Sequence, residues 1–250
     1  MQLLDAVVLV TGASSGIGAA TAIRMTKAGA RLIVTGRNEE RLREIAARTR
    51  GTPLTADLAE PGGPELLVEK ALAAEGRVDV LVCNAGAGWA GPIGELPGAK
   101  ANELVNLNLL APVQLARLLA PGMAERGSGR LVFVSSVAGA TGVRNEAVYA
   151  ATKGGLNCLA ESLAYELADS GVGVSLVLPG VVDTPFFASR GRPYDRRRPR
   201  PIPAERAASA ITRAVSRDLD VVYVPGWMRF PAWLHGVAPQ AFRQLMIRFS

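Results

Sequence analysis

Ala6-Val7-Val8-Leu9-Val10-Thr11-Gly12-Ala13-Ser14-Ser15-Gly16-Ile17-Gly18 decides the fold of this chain. Ala6 to Val10 is a continuous apolar run with β-branched residues, the pattern of a strand buried on both faces in a parallel sheet. The glycine-rich turn follows at once, and Ala19 to Ala28 reads as a helix ending at Gly29. Strand, turn and helix form the first half of a nucleotide-binding βαβ unit. The need for glycine is specific. The turn must be tight, the backbone must approach a pyrophosphate closely, and the helix must start near the strand. The helix N-terminus then offers free N–H groups and a positive dipole end to phosphates.

Outward from there, Arg31 to Thr35 is a second strand running into Gly36-Arg37-Asn38. An acidic residue at this strand end would accept hydrogen bonds from the adenosine ribose of NAD. Gly36 removes the side chain, and Arg37 brings a cation able to grip a 2′-phosphate. NADP(H) is therefore preferred over NAD(H). The alternative is a solvated Arg37 beside a helix that Asn38 caps and Glu39 begins. Thr52 to Thr55 is a third strand; Asp57 beyond it either faces an adenine amino group or caps a helix. Glu65 to Glu75 reads as helix, and Val78 to Cys83 as a fourth strand leading into Asn84-Ala85-Gly86. Small residues there let a flat ring lie against the backbone. The following loop, 88–98, holds Trp89 and can wall a pocket.

Ala99 to Arg126 reads as one long helix bent near Pro112, with Asn106 and Asn108 in its apolar middle. An asparagine there is costly unless bonded, so one of the two should have a partner while the other faces solvent. Arg130 to Val134 is the fifth strand, with Ser135-Ser136 at its end. Tyr149 opens a helix running to about Ser170. Lys153 lies four residues on, hence on the same face. A phenol is a poor acid at neutral pH, and a nearby ammonium lowers its pKa. The pair can therefore move protons, although two surface residues often share this spacing. Val174 to Leu178 is the sixth strand, ending at Pro179-Gly180, with Thr184 beyond. Residues 185–203 are a proline- and arginine-rich loop, Ala204 to Arg217 a helix and Val221 to Val224 the last strand.

These elements predict an α/β, Rossmann-type doubly wound parallel sheet of about seven strands, helices on both faces, in a single domain. Residues 1–225 form the expected dinucleotide-binding catalytic unit and 226–250 a basic amphipathic tail. Of the 250 residues, 49% are hydrophobic and 20% charged, an ordinary globular composition. Cys83 and Cys158 follow no metal-ligand spacing and read as buried free thiols in a reducing compartment. No basic region followed by a long apolar run opens the chain, and no apolar run is long enough to span a bilayer. A cytoplasmic protein is expected. The net charge is +6, but no helix-turn-helix, zinc spacing or aromatic RNA-binding signature supports nucleic acid as a partner.

Taken together and in order, Thr11-Gly12-xxx-Gly16-x-Gly18, Asp57, Asn84-Ala85-Gly86, Asn108, Ser136, Tyr149-xxx-Lys153 and Pro179-Gly180 resemble the short-chain dehydrogenase/reductase family over roughly residues 5–225. The resemblance implies an oxidoreductase that interconverts a ketone or aldehyde and an alcohol by hydride transfer. It implies that Gly12, Ser14, Ser15, Gly16, Ile17 and Gly18 cradle the pyrophosphate and that Asp57 holds the adenine. Asn84, Ala85 and Gly86 would line the adenosine side and support the central strand. Tyr149 would protonate the carbonyl oxygen, Lys153 lower its pKa and bind the nicotinamide ribose, and Ser136 hydrogen-bond the substrate oxygen. Asn108 would position a water beside the lysine. Thr184, after Pro179-Gly180, would touch the nicotinamide carboxamide.

The chain departs from the resemblance at its end. Tyr223-Val224-Pro225-Gly226-Trp227-Met228 stands where 3-oxoacyl carrier-protein reductases carry an aspartate and two glycines, which weakens a 3-oxoacyl thioester as substrate. Phe242, Leu245, Met246 and Phe249 fall at i, i+3, i+4 and i+7. Such a stripe covers the pocket or a dimer partner, or lies in a membrane interface. His235 reads as a surface residue. Six arginines between Arg190 and Arg200 either attract an anionic substrate or form a solvated lid. Phe186 and Phe187 beside them favour a lipophilic substrate. A homodimer or other homo-oligomer is expected, with peripheral membrane contact through the tail as an option. The rival is a non-catalytic NADP(H)-binding regulator, which would need none of the proton chemistry of Tyr149.

Overall fold

The computed structural model describes residues 1–195 and 199–249. In chain order the first elements are β1 (Val7–Thr11), α1 (Gly16–Lys27), β2 (Arg31–Gly36), α2 (Glu39–Thr49), β3 (Thr52–Thr55) and α3 (Gly63–Glu75). Next come β4 (Val80–Cys83), α4 (Gly98–Val105), α5 (Ala111–Glu125), β5 (Gly129–Val134), α6 (Ala138–Thr141) and α7 (Ala147–Glu166). The chain closes with β6 (Val172–Pro179), β7 (Val182–Asp183), α8 (Phe186–Ser189), β8 (Ile202–Pro203), α9 (Ala204–Ser216), β9 (Val221–Val224), α10 (Arg229–Val237) and α11 (Pro239–Phe249).

The expected sheet is present: seven strands in the order β3-β2-β1-β4-β5-β6-β9, each adjacent pair parallel. Period-two alternation splits β1 between two cores. Val8 and Val10 pack with Met25 of α1, Leu42 of α2 and Ile211 of α9. Val7 and Leu9 pack on the other face with Leu67 of α3, Leu115 of α5 and Leu156 of α7. Strand order reverses at β1 and β4, and at such a switch point the carboxyl ends of the strands open a crevice.

The long helix differs from expectation. Between α4 and α5 the segment Asn106–Leu110 is a π-helix, with Ala111 N–H bonded to the Asn106 carbonyl five residues back. Pro112 has no N–H to give Asn108, four residues earlier, so the α-ladder is interrupted there by covalent chemistry. Within the helical run Gly98–Glu125 an 18-residue window reaches mean hydropathy 1.2, enough to cross a membrane by length and composition, although polar residues interrupt it. In the fold its apolar side, with Leu104, Leu115, Leu119 and Met123, packs in the core.

Asn106 and Asn108 are both partnered: the Asn106 amide donates to the Ala59 carbonyl (3.2 Å), so neither is left to solvent alone. Cys83 is buried as expected, whereas Cys158 is exposed. The core face of α7 is Thr152, Leu156 and Ala160, and Cys158 sits about 200° round the helix from Leu156.

Candidate active site

A cavity of ≈ 920 Å³ lies at the carboxyl ends of β1, β4, β5 and β6. At one end is the glycine turn. Gly12 has φ +65°, and a Cβ on Gly18 would sit 2.2 Å from the Gly12 carbonyl oxygen. No other residue fits either place, so a phosphate can approach bare backbone at the start of α1. The donor set and this cradle fit a dinucleotide pyrophosphate. Ser14, Ser15, Gly16 and Ile17 line the cavity with Gly12; Gly18 packs behind it. Thr184 lies over the turn, its Cγ2 3.0 Å from where a Gly16 Cβ would be.

Thr11 and Asn84 knot this end together. Thr11 Oγ1 accepts from the backbone N–H of Asn84 and of Ala85, both at 2.9 Å, and donates to the Val82 carbonyl. The Asn84 amide donates to the Thr11 carbonyl at 2.9 Å. The adenosine end carries Arg37 and Asp57. Arg37 Nη1 is 3.6 Å from Asp57 Oδ2 and 3.7 Å from Glu103 Oε1, with its side chain 58% exposed. Asp57 caps no helix; its Oδ1 accepts from Ala59 N–H in a turn, since α3 begins only at Gly63. Asn38 caps α2 as read, accepting from Arg41 N–H at 2.9 Å.

At the other end Ser136, Tyr149 and Lys153 converge on the cavity. Tyr149 sits in the first turn of α7, with the Ser136 hydroxyl as its neighbour in the cavity lining. Lys153 Nζ donates to the Val134 carbonyl at 3.0 Å and lies 6.0 Å from the Tyr149 ring centre. Burial pushes the Tyr149 phenol up to about 12; the Ser136 hydroxyl opposes this, Glu146 adds to it and Arg190 opposes it. The direction is the reverse of the expected lowering, because desolvation outweighs every neighbouring charge. Burial also pulls the Lys153 ammonium down to about 8, against the raising effect of Cys83.

Asn108 is fully buried and does not line the cavity. Its Oδ1 accepts from Ala87 N–H (2.8 Å), and its amide donates to the Ala87 carbonyl (2.9 Å) and to Thr152 Oγ1 (3.2 Å). The side chain thus straps the loop after β4 to α7. Asn84, Ala85, Gly86, Pro179 and Gly180 all line the cavity.

The substrate side is walled by side chains. Tyr149, Phe186, Phe187 and Tyr194 form a ladder of rings at centroid spacings of 5.4, 5.5 and 5.3 Å. Arg190 is buried. Its guanidinium lies 4.7 Å from the Phe187 ring, and its Nη1 pairs with Glu146 Oε1 at 2.5 Å. Ala90 N–H bonds the Arg190 carbonyl, and Gly91 N–H bonds Asn145. Three loops are thereby joined around one ion pair. Arg190 is accordingly no part of a solvated lid, while Arg196, Arg197 and Arg198 lie outside the described residues. Trp89 folds onto Gly91, leaving Ala90 as the loop's contribution to the cavity. The tail closes the far wall with Met228, Leu234, Phe242 and Met246.

Sequence reading missed Thr11 as the knot, Glu146 as the partner of Arg190, and the division of labour in Ser135-Ser136. Ser135 also lines the cavity, but its hydroxyl is spent on the Lys153 carbonyl (3.1 Å) and Asn157 Oδ1 (2.6 Å), an alternation that strand period already signals. The Glu146–Arg190 pair spans 44 residues, so no local signal carries it.

Fold and site define an oxidoreductase that works on CH–OH groups with a nicotinamide dinucleotide. The chain belongs to the short-chain dehydrogenase family: the model of that family, described as short chain dehydrogenase, matches residues 6–195. Among its relatives is an uncharacterized oxidoreductase of Staphylococcus epidermidis, 30% identical over 222 residues, covering 88% of this chain and 95% of that one. The ketoacyl reductase HetN of a Nostoc species is 37% identical over 180 residues, 70% of this chain and 63% of that one. A short-chain dehydrogenase from Sphingobium yanoikuyae, solved with NADPH, superimposes with a TM-score of 0.84 at 30% identity. That match covers 97% of this chain and 95% of the other.

Proposed function

We propose that the protein is an NADP(H)-dependent carbonyl reductase or alcohol dehydrogenase acting on a lipophilic substrate. The observation that carries this reading is one cavity with Arg37 at its adenosine end and Ser136, Tyr149 and Lys153 at the other. When bound, the dinucleotide would supply or accept the hydride at the carbonyl carbon. Gly12, Ser14, Ser15, Gly16, Ile17 and Gly18 hold its pyrophosphate at the start of α1. Arg37 pairs with a 2′-phosphate, for which the carboxylates of Asp57 and Glu103 are the present substitutes. Lys153 holds the nicotinamide-side ribose. Tyr149 gives its hydroxyl proton to the carbonyl oxygen, and Ser136 donates a hydrogen bond to the same oxygen, so both stabilise developing negative charge there. Asn108 acts at one remove, holding the loop over Lys153.

The apolar ladder of Phe186 and Phe187 supports a lipophilic substrate. The second reading is a 3-oxoacyl thioester, favoured by the name of the Nostoc relative. A homodimer belongs to the same proposal; edge strand β9 leaves Val221 exposed. The test is oxidation of NADPH against a panel of ketones, aldehydes and 3-oxoacyl thioesters. Turnover of apolar ketones or aldehydes is expected. Thioesters alone as substrates would replace the first reading with the second. NADPH binding with no turnover of any carbonyl would favour a regulator.

A further inference from the structure

The described residues with exposed aromatic side chains are Trp227, Phe230 and Trp233, all in the tail, and Tyr165, whose hydroxyl is bonded to Glu161. Phe230, Trp233 and Val237 recur at i, i+3 and i+7, hence on one face of α10. The first two stack at 5.9 Å. Leu245 and Ile247 add exposed apolar surface on α11. The α10 face is a cluster rather than scattered surface hydrophobes, and clusters mark contact surfaces. It is not slack packing either. The same two helices are fixed from inside by Phe242, 5% exposed, and by His235 set edge-on to its ring at 5.3 Å.

Charge selects the occupant. Arg229, Arg243 and Arg248 sit on this segment, and no acidic residue follows Asp220. A second copy docking by two-fold symmetry would oppose two basic patches, neither offering a carboxylate to the other. An anionic lipid surface complements them, and tryptophan at its edge is suited to the boundary between headgroup and acyl chain. Trp227, Phe230 and Leu245 are both exposed and part of the cavity lining, so the patch forms the rim of the cavity mouth.

We propose that α10 and α11 dock the protein on an anionic membrane surface, setting the cavity mouth against the lipid so that substrate enters from the acyl phase. The entry route rests on the proposed lipophilic substrate; the docking does not.

The test uses the whole chain and vesicles of phosphatidylcholine, with and without phosphatidylglycerol. Co-sedimentation with the anionic vesicles is expected, falling as salt is raised, with little on neutral ones. Two variants decide the surface: Trp233→Ser/Val237→Ser/Ile247→Ser, whose residues do not line the cavity, and Arg229→Gln/Arg243→Gln/Arg248→Gln. Each should lower vesicle affinity by about tenfold or more. NADPH affinity and melting temperature, read alongside, should stay at wild-type values in the Trp233 variant and show that it folds. Wild-type protein that ignores anionic vesicles, or a folded variant that binds them equally well, overturns the proposal. So does a wild type that ignores vesicles yet loses its dimer in ultracentrifugation when the Trp233 variant is made, since the face then belongs to a second copy. Failure to bind NADPH would remove the proposed function and leave vesicle docking standing.

Discussion

Gly12, Gly18, Asn84 and Thr11 build one end of the cavity, mostly from main chain; Phe186, Arg190, Glu146 and Phe242 build the other, from side chains. The first end has few degrees of freedom. A Cβ on Gly18 has nowhere to go, and the Thr11–Asn84 knot spends backbone donors and acceptors of two strands. The second end is assembled from three loops and two terminal helices that meet through rings and one ion pair. A backbone wall dictates spacing and tolerates little replacement. A side-chain wall dictates only size and polarity. The rigid end therefore defines a ligand class, and the adaptable end sets which molecule is processed.

Four measurements press on that difference. Tyr149→Phe, where the two ends meet, should cut turnover by about 10²–10⁴-fold while NADPH titration is unchanged. Retained turnover would mean that another group supplies the proton. Glu146→Ala strands the buried Arg190 guanidinium. It should cost about 3 kcal/mol in chemical denaturation. It should also raise KM more than it lowers kcat, because the wall loosens while Tyr149 and Lys153 stay. An equal fall in kcat would show that the pair serves chemistry and not shape. Arg37→Asp removes a charged contact of about 1.5–3 kcal/mol, so NADPH should bind about 10- to 150-fold more weakly and NADH little changed or better. Equal losses for both would place Arg37 outside 2′-phosphate recognition.

The smallest effect is a pH dependence. Lys153 titrates near 8 when folded and near its ordinary 10.5 when unfolded. Between those values the unfolded chain binds more protons, so this group makes stability rise with pH. Its cost is fully present below pH 8 and gone above 10.5. Lys153→Met lacks that cost. Its stability relative to wild type should therefore be most favourable at about pH 7 and decline by about pH 10, read from denaturation midpoints. Tyr149 and Cys83, both raised by burial, act in the opposite direction at high pH but are common to both proteins. A gap that does not change with pH would contradict the buried, partly neutral lysine.

The rigid end was largely legible in the sequence. The run from Ala6 to Gly18 combines a period, a composition and a spacing, each with one physical solution, and the parallel sheet follows from repeated βα alternation. Tyr149 and Lys153 were legible because a helix fixes what four residues of separation mean. The adaptable end was not. Arg190 looked like one of a solvated cluster, since nothing in its neighbourhood announces a carboxylate 44 positions upstream. Asn108 was legible as a residue needing partners, but its partner, the backbone of Ala87, is set by tertiary contact. Burial reversed the expected direction for Tyr149, and burial is a property of the assembled cavity rather than of any motif.

The two thiols offer a clock for this cavity. Cys158 faces outward from α7 and reacts without any opening of the fold, whereas Cys83 is 3% exposed at the end of β4, with its thiol held up to about 12 by burial. Alkylation of Cys83 has to wait for the strand end to open, so the ratio of the two labelling rates reports the free energy of that opening. A ligand seated in the cavity against Gly86 and Lys153 would lengthen the Cys83 lifetime and leave Cys158 alone, giving a readout of occupancy that requires no turnover.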